Sequence, residues 1–549
     1  MNFKEKPIQN SPATVRLPVL LGLALAGGIL LGATFFGGSS RSTGDILKNF
    51  NKYREVLSWI DHSYVDSVDT DSLVDFSIKK MLEKLDPHSV YIPSAEVAFS
   101  RSQLDAGFDG IGVEFNIFSD TVYVVNTMPG GPSELAGVRA GDKLLRADGT
   151  PLTGSKLDNK LVFSKLRGPR GSQVTLDVQR RGVKDLVKFT VARNRITSYS
   201  VTAGYLLDDK TGYIKVNSFS ESTFNEFKTV LSDLKKQGMD RLMLDLRGNG
   251  GGYKDRATNM VDELLGGNRL IVYTDGKGEQ YDDRTYAKRE GMFEKGPVLV
   301  LIDENSASAS EIVAGALQDN DRALIVGRRS YGKGLVQSPI NLSDGSELRL
   351  TVSRYFTPSG RCIQKPYSIY DKDDEMRLKN GELFHADSIK FDPNRKFKTV
   401  AGRIVYGGGG ITPDVFVPAD TAYLTKYLRQ LFNKNLVQEY ALNYAEDHRK
   451  ALEKQNFKQY LDTFVVSDAM MNDLVKLAAS ANVKKSEADL KRSEAYLQTQ
   501  IKALIARQIW EKRSSNGLRN EYFRVMTTFD NTYQQALRYF DQAAVMAKK

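Results

Sequence analysis

The 549-residue sequence has very few of the side chains that form disulfide bonds and zinc sites. Its single cysteine, Cys362, excludes a disulfide bond within the chain. Its histidines are scattered, and none lies at zinc-ligand spacing from the cysteine, so neither a metal nor another cofactor is expected. The four histidines are His62, His88, His385 and His448.

The excess of positive over negative charge is also small for a chain of this length. The net charge is +10 over 549 residues, and there is neither a long Lys/Arg block nor a nucleic-acid-binding motif. Nucleic acid is therefore not an expected partner. The apolar fraction of 41% is ordinary for globular protein, and the length predicts several domains with cores of their own.

One long apolar run is present, near the N-terminus. Leu17 to Ser40 has no charged residue over 24 positions, and about 20 suffice to cross a bilayer. The basic residues Lys4, Lys6 and Arg16 precede it. Residues 1–16 are therefore predicted to form a cytoplasmic arm, with the rest of the chain on the other side of the membrane. A cleaved signal peptide is the alternative, but the segment is long for one and no small-residue cleavage site follows it.

Local patterns divide the remaining chain into four regions. Residues 45–96 space their apolar side chains at three and four, which predicts helices. Residues 97–195 contain short strand-like runs between turn residues, typical of a small β domain. Residues 196–415 alternate buried strands with helices, which predicts an α/β region with a largely parallel sheet. Residues 416–549 are helical and charged; the helix opening at Ser486 carries an apolar stripe that either packs on its own domain or forms a dimer contact.

The run NSASASEIVAGAL, at residues 305–317, places three serines between a buried strand and a helix. A nucleophilic serine needs a base and oxyanion donors. The only histidine of the α/β region, His385, lies in a polar stretch, so a lysine kept neutral by burial is the other familiar base. Lys333, between Gly332 and Gly334, is the candidate; a solvent-facing hairpin lysine is the alternative.

A glycine-rich turn ends another strand of the same region. The stretch LDLRGNGGG, Leu244 to Gly252, exposes backbone N–H groups that can bind an anion. It is not a phosphate loop, because no Gly-Lys-Ser/Thr follows. It fits the wall of an oxyanion hole. The serine run, the Lys333 segment and this turn each lie at the end of a predicted strand, and together they predict an active site.

These three motifs, in this order, resemble those of the carboxy-terminal processing proteases, which are tail-specific serine peptidases of the S41 type. Three further stretches match the family pattern. The resemblance covers roughly residues 45–415. It implies a multidomain α/β protein: a crotonase/ClpP-like protease core with an inserted PDZ domain, an N-terminal helical region and a C-terminal helical extension. The matching stretches are LDPHSVYI (Leu85–Ile92), YFTPSGRCIQ (Tyr355–Gln364) and GGGGITPD (Gly407–Asp414).

The resemblance also implies a Ser-Lys dyad. Ser308 is the implied nucleophile, Lys333 the implied base 25 positions later, and Gln337 the residue that supports the lysine. An oxyanion hole is implied from backbone N–H groups, those of Ala309 and of Gly251 or Gly252.

The two flanking serines are expected to be structural. Ser306 and Ser310 provide small side chains for tight packing, and Ser310 with Glu311 is expected to open the following helix as its N-cap.

Two stretches of the small β domain, Phe108–Phe115 and Pro129–Gly149, look like a PDZ domain of the bacterial protease type. Such a domain adds a peptide as a strand and captures its terminal carboxylate on backbone N–H groups. Arg167 matches a position that links reader and protease domains in relatives, although it could equally cap the preceding helix. The predicted substrate contacts are the carboxylate cradle Gly110, Ile111 and Gly112, the pocket residues Ile111 and Val113, and Arg167.

The sequence therefore predicts a serine endopeptidase anchored in the inner membrane, with most of the chain in the periplasm. Its expected partners are protein or peptide substrates with free, apolar C-termini. A catalytically silent PDZ scaffold is the main alternative. An acyl-thioester enzyme on the same fold is disfavoured, because an added PDZ-like domain has no role there. A homodimer or helper protein contact through the N- and C-terminal helices stays open.

Overall fold

The computed structural model describes residues 41–102, 104–105, 107–511 and 517–547. The expected arm (1–16) and apolar segment (17–40) lie outside these residues. Within the described residues, no helix is both long and apolar enough to cross a membrane. The chain divides into two compact units between Met81 and Leu82.

The described part of the first unit is helical. It contains α1 (Arg41–Ser63) and nearly all of α2 (Thr70–Leu82). Large apolar side chains on α1, including Ile46, Phe50 and Trp59, are more than half exposed. The helices expected from residue 45 onward are therefore present, and the first of them carries large, exposed apolar side chains.

A short strand departs from the helical reading of residues 45–96. β1 (Val90–Ile92) pairs antiparallel with the strand Glu347–Phe356, with Val90 opposite Arg349. Its valine, tyrosine and isoleucine suit a pleated, half-buried position better than a helix. The helix α3 (Ser94–Ser102) follows and leads to the β domain.

The small β domain forms around one sheet. Its strands run in the order β3-β4-β5-β7-β8, β6 pairs β5, and β2 pairs β9 separately. Side chains that alternate inward fill its core, and Leu144, Leu176 and Val178 are fully buried. The elements are β2 (Gly107–Gly110), β3 (Val113–Phe118), β4 (Thr121–Thr127), α4 (Pro132–Ala136), β5 (Lys143–Ala147), β6 (Thr150–Pro151), α5 (Asn159–Leu166), β7 (Gln173–Gln179), β8 (Val187–Ala192) and β9 (Asn194–Thr197).

The α/β region contains two sheets. A six-stranded sheet runs β10-β11-β12-β15-β16-β21 and is parallel except for the β10–β11 pair. A five-stranded antiparallel sheet runs β1-β18-β13-β14, with β17 paired to β18. The elements are β10 (Val201–Leu206), β11 (Thr211–Val216), α6 (Thr223–Lys236), β12 (Arg241–Asp245), α7 (Lys254–Asp262), β13 (Leu270–Gly276), β14 (Asp283–Tyr286), β15 (Val298–Ile302), α8 (Ala309–Asp319), β16 (Leu324–Gly327), β17 (Leu335–Asn341), β18 (Glu347–Phe356), α9 (Asp373–Lys379), β19 (Lys396–Lys398), β20 (Ile404–Tyr406) and β21 (Val415–Phe416).

The parallel sheet expected in residues 196–415 is present, but strands of the same region, including β18, form the antiparallel sheet as well. The parallel sheet is covered on both faces, which explains why its strands are continuously apolar. On one face Ile214, Leu244 and Val300 pack against α6, α7 and α8.

Helices of the C-terminal region form the opposite layer. The alternate strand residues Tyr213, Met243 and Leu299 pack with Tyr533 and Phe540. The earlier helices of this region share a separate core. The expected helical extension, residues 416–549, is therefore partly a layer of the protease core. Its helices are α10 (Lys426–Asn433), α11 (Leu436–Leu452), α12 (Phe457–Thr463), α13 (Asp468–Ser480), α14 (Glu487–Trp510), α15 (Asn520–Met526), α16 (Asn531–Ala536) and α17 (Phe540–Ala547).

Candidate active site

Ser308 lies at the junction between the buried strand β15 and helix α8. Its backbone has φ 55° and ψ −111°, a positive φ that is uncommon for a residue other than glycine. Strained backbone of this kind concentrates at functional sites, where the surrounding structure holds it. The helix begins at Ala309, so Ser308 occupies the N-cap position and the expected N-cap at Ser310 is wrong.

The two flanking serines hold the glycine-rich turn. The hydroxyl of Ser306 donates to the Leu246 carbonyl at 2.9 Å, and that of Ser310 donates to the Asn249 carbonyl at 2.8 Å. Both serines are fully buried. The alternation of serine and alanine thus places two hydroxyls in structural bonds and the middle one, on Ser308, at the cleft.

Glu311 joins the nucleophile segment to the lysine segment. Its buried carboxylate accepts the backbone N–H of Ser308 at 2.8 Å and that of Lys333 at 2.9 Å. It also accepts the Gly332 N–H at 2.7 Å and the Ser330 hydroxyl. Burial raises the pKa of Glu311, and these four hydrogen bonds oppose that rise. A carboxylate with so many donors fixes two loops relative to each other.

Lys333 is directed into the cleft and lies mostly out of water. Its Nζ donates to Gln337 Oε1 at 3.1 Å. Among the described residues, no hydrogen bond joins Nζ to the Ser308 hydroxyl in this conformation. Burial lowers the pKa of Lys333, while the carboxylates of Glu311 and Asp86 act against it.

Gln337 is oriented by the LDPHSVYI stretch. Its Nε2 donates to the carbonyl of His88, which leaves Oε1 for Lys333. Asp86 shapes this turn by accepting the N–H groups of His88 and Ser89 at 2.7 and 2.8 Å. Burial lowers the pKa of His88 to about 4, and the nearby Lys333 charge adds to this. The imidazole of His88 is therefore neutral near neutral pH.

Tyr355 bridges the two expected catalytic residues through their backbones. Its hydroxyl lies 3.0 Å from the Ser308 carbonyl oxygen and 2.8 Å from that of Lys333. Burial raises the pKa of Tyr355 well above its usual value, so the hydroxyl keeps its proton as a donor. Sequence reasoning missed this residue, although it opens the quoted YFTPSGRCIQ stretch.

The glycine-rich turn lies against the nucleophile. A Cβ on Gly251, where φ is 101°, would come 2.8 Å from the Ser308 Cβ. The N–H of Gly251 donates to Asn249 Oδ1 at 2.9 Å. Gly252 pairs with Phe219 in a parallel bridge that uses the Gly251 carbonyl and the Tyr253 N–H, so its own N–H points elsewhere. Of the two candidate glycine donors, Gly252 therefore fits better and Gly251 forms the wall.

One cleft, of about 680 Å³, gathers every expected residue of the catalytic set. The first turn of α8 places the Ala309 N–H there without an intrahelical partner, as at any helix start. Among the described residues, no cluster of His, Cys, Asp and Glu could hold a metal ion. The cleft residues expected from the sequence are Gly251, Gly252, Ser308, Ala309, Lys333 and Gln337.

The expected substrate contacts of the β domain lie away from this cleft lining. Gly110 ends β2, and Gly112 has φ 73° and accepts the Met128 N–H at 2.9 Å. Ile111 is only 2% exposed and packs in the domain core, and its role in shaping the peptide pocket stays a prediction. Val113 is partly buried at the start of β3.

Arg167 follows α5, and its side chain reaches toward α3. Its guanidinium lies 4.2 Å from the Phe108 ring centre and 5.3 Å from that of Phe99, and it donates to Ser102 Oγ at 3.4 Å. Burial lowers the pKa of Arg167. Arg167 is also the C-cap residue of α5. Both sequence interpretations thus have a structural counterpart, and the contact with α3 favours the linking role.

Comparison with known proteins identifies the class. Peptidase family S41 matches residues 210–371 and a PDZ domain matches residues 123–180. The N-terminal domain of the activating protease CtpB matches residues 36–95, and a family of unknown function matches residues 427–511. The molecule is therefore an S41 peptidase with a PDZ domain.

Curated relatives agree. A carboxy-terminal-processing protease of Bartonella bacilliformis is 36% identical over 321 residues, 58% of this chain and 73% of that protein. The carboxy-terminal processing protease CtpB of Bacillus subtilis is 33% identical over 326 residues, 58% of this chain and 66% of that protein. The chain belongs to the carboxy-terminal processing proteases, hydrolases of peptide bonds.

Among solved structures, a photosystem II D1 C-terminal processing protease is 27% identical. The match covers 67% of this chain and 93% of that one, with a TM-score of 0.34. The family models and the curated relatives confirm the expected fold class, family and enzyme class.

Proposed function

We propose that the chain is a membrane-anchored periplasmic endopeptidase that cleaves through a dyad of Ser308 and Lys333. The observation that carries the proposal is the placement of the Lys333 amine: it is mostly buried, bonded to Gln337, and lines the same cleft as Ser308. Low dielectric disfavours the ammonium form, so burial lowers the pKa of Lys333 and favours the neutral amine that a base requires.

The proposed reaction starts with a shift of the amine from Gln337 to the Ser308 hydroxyl. Neutral Lys333 takes the hydroxyl proton while Oγ attacks the peptide carbonyl carbon. The backbone N–H groups of Ala309 and Gly252 stabilise the oxyanion. The C–N bond then breaks as the lysine ammonium returns its proton to the leaving amine. Water, deprotonated by the same lysine, hydrolyses the acyl-enzyme and restores both groups.

Substrate selection is assigned to the PDZ domain. A free C-terminus adds along the edge strand β3, and its carboxylate meets backbone N–H groups at the turn of residues 110–112. The apolar side chains of Val113 and Phe115 favour an apolar tail. The contact of Arg167 with α3 supports a link between this domain and the protease core.

The anchor is proposed from the uncharged segment Leu17–Ser40. Alkaline extraction of membranes should leave the full chain in the pellet, whereas a version that starts at Arg41 should be released. Mass spectrometry of the mature N-terminus distinguishes this from a cleaved signal peptide, since cleavage would remove the segment.

The decisive experiment uses a peptide with a free, apolar C-terminus. Ser308→Ala and Lys333→Ala should each abolish cleavage, while the exposed controls Ser343→Ala and Lys295→Ala should cleave at the wild-type rate. Amidation of the substrate C-terminus should lower the rate. Cleavage retained in either of the first two variants rejects the dyad.

A catalytically silent PDZ scaffold remains the alternative function. The strained backbone of Ser308 and the buried Lys333 favour the enzyme, because a binding scaffold requires neither. A scaffold would bind the free-carboxylate peptide without cleaving it. A homodimer or helper protein through the N- and C-terminal helices is kept as a further proposal, and the exposed apolar side chains of α1 support it.

A further inference from the structure

The strand β3 has an open edge. Among the described strands it pairs with β4 alone, across a two-residue turn that sets Ile117 opposite Val122 and Phe115 opposite Val124. The N–H groups of Val122 and Val124 donate away from β3, to Leu152 and Asp142. In an antiparallel pair, two residues that face each other without exchanging hydrogen bonds both direct their N–H and C=O groups away from the partner strand. Phe115 and Ile117 therefore present backbone groups to an added strand.

One of these outward groups is already occupied, by a residue of the C-terminal helical region. Nδ2 of Asn435 donates to the Ile117 carbonyl at 3.3 Å. Asn435 stands at the N-cap position of α11, yet its side chain makes no cap bond to its own helix. Its backbone is left-handed, with φ 54°. The side-chain amide of Asn435 therefore binds the backbone of β3 instead of capping α11.

Other contacts fix α11 and α14 against the β domain independently of Asn435. Gln438 Oε1 accepts from Asn116, and Leu442 is buried with Phe118. Arg507 of α14 binds the Glu114 carboxylate. Because side chains alternate along a strand, Glu114, Asn116 and Phe118 face away from Phe115 and Ile117. The helices therefore cover the outer face of the sheet, and Asn435 makes their one described hydrogen bond to the outward backbone groups of Phe115 and Ile117.

We propose that Asn435 ends the peptide-binding edge of the PDZ domain. A substrate tail held by its carboxylate at Gly110–Gly112 would run antiparallel to β3 and pair as far as Phe115. It would leave the edge before Ile117, about four or five residues from its C-terminus by the one-to-one register of paired strands. This inference rests on the proposed function of the PDZ domain and adds a length limit to it.

The test measures binding of fluorescent peptides that share one apolar C-terminus and differ in length. Full chain carrying Ser308→Ala prevents turnover, and anisotropy gives the Kd. Affinity should rise up to about four residues and then stay constant. Asn435→Gly tolerates the left-handed backbone and frees the Ile117 carbonyl. It should strengthen binding of eight-residue peptides about fivefold, the effect of one further main-chain hydrogen bond, and leave three-residue peptides unchanged.

Two further variants serve as a second test and as a control. Asn435→Asp keeps the side-chain shape but cannot donate to the carbonyl, so it should also strengthen binding of the long peptides. Asn482→Gly makes the same substitution at another left-handed asparagine, where φ is 59°, and should change nothing. Unchanged affinity for long peptides in both Asn435 variants, or an equal gain at every length, overturns the inference. Amidated peptides that bind as tightly as free acids reject the proposed function itself, and the inference with it.

Discussion

The carboxylate of Glu311 accepts the backbone N–H of Lys333 at 2.9 Å, and the same oxygen accepts that of Ser308 at 2.8 Å. One side chain therefore fixes the spacing between the proposed base and the proposed nucleophile. It is fully buried, so these bonds are not exchanged with water.

Glu311→Gln should reduce both stability and cleavage. Four donors converge on the carboxylate, and an amide offers one oxygen together with an N–H₂ group that opposes a donor. Each buried N–H left unpaired costs about 1–3 kcal/mol. Thermal unfolding should begin several degrees lower, and cleavage should fall at least tenfold. The exposed variant Glu279→Gln serves as control; wild-type melting and activity in Glu311→Gln would remove Glu311 from this role.

Tyr355→Phe should affect rate more than folding. The ring stays and only the hydroxyl shared by the Ser308 and Lys333 carbonyls is lost. Loss of about 1 kcal/mol from one hydrogen bond predicts a decrease of about fivefold in kcat, with KM nearly unchanged. Tyr273→Phe, away from the cleft lining, is the matched control. An unaltered kcat would mean that other contacts suffice to place both backbones.

Two neighbouring glycines provide a steric test of the oxyanion wall. Gly251→Ala puts a Cβ 2.8 Å from the Ser308 Cβ at a φ of 101°, so cleavage should be lost. Gly250→Ala meets no atom within 4 Å and should retain activity. Steady-state kinetics of the two variants measure this difference. Equal activity in both would contradict the close contact between Gly251 and Ser308.

Stability should depend on pH through Glu511. Burial raises the pKa of Glu511 to about 7, with Glu114 adding to the rise and Arg507 opposing it. The folded protein therefore holds this proton more tightly than the unfolded chain does. The resulting stabilisation is complete below about pH 4.5 and is lost as pH rises through about 7.

Glu511→Gln should remove that dependence and melt above wild type at pH 8. Melting temperatures across this pH range check it, with the exposed variant Glu487→Gln as control. Parallel curves for Glu511→Gln and wild type would contradict the assignment.

Much of the site could be anticipated because its residues follow strand ends. Ser308 follows β15 and the glycine-rich turn follows the adjacent β12, and neighbouring parallel strands bring their carboxyl ends to one edge. The role of Glu311 could not be anticipated, since a Ser-Glu pair before a helix indicates a cap. The Ser308 N–H is such a cap donor, but the other three donors come from a loop about twenty residues later.

The remaining differences between the sequence predictions and the structure also arise from contacts between residues far apart in the chain. Val90–Ile92 adopts the strand conformation because the edge of β18 is available to pair with it. An amphipathic pattern predicts the helices α16 and α17 but not the surface they cover, which is the protease sheet. The direction of the Lys333 amine is a side-chain torsion set by its neighbours, and sequence spacing does not encode it.

The central claim is that the neutral amine of Lys333 is the base, and the pH dependence of kcat/KM tests it most directly. His88 is the rival, since it also lies close to the cleft residues. The account predicts that kcat/KM rises with pH through one group with a pKa below the ordinary lysine value of 10.5, and that His88→Asn leaves this profile in place. Disappearance of that rise in His88→Asn, or a rate independent of pH from 5 to 10 in the wild type, would contradict it.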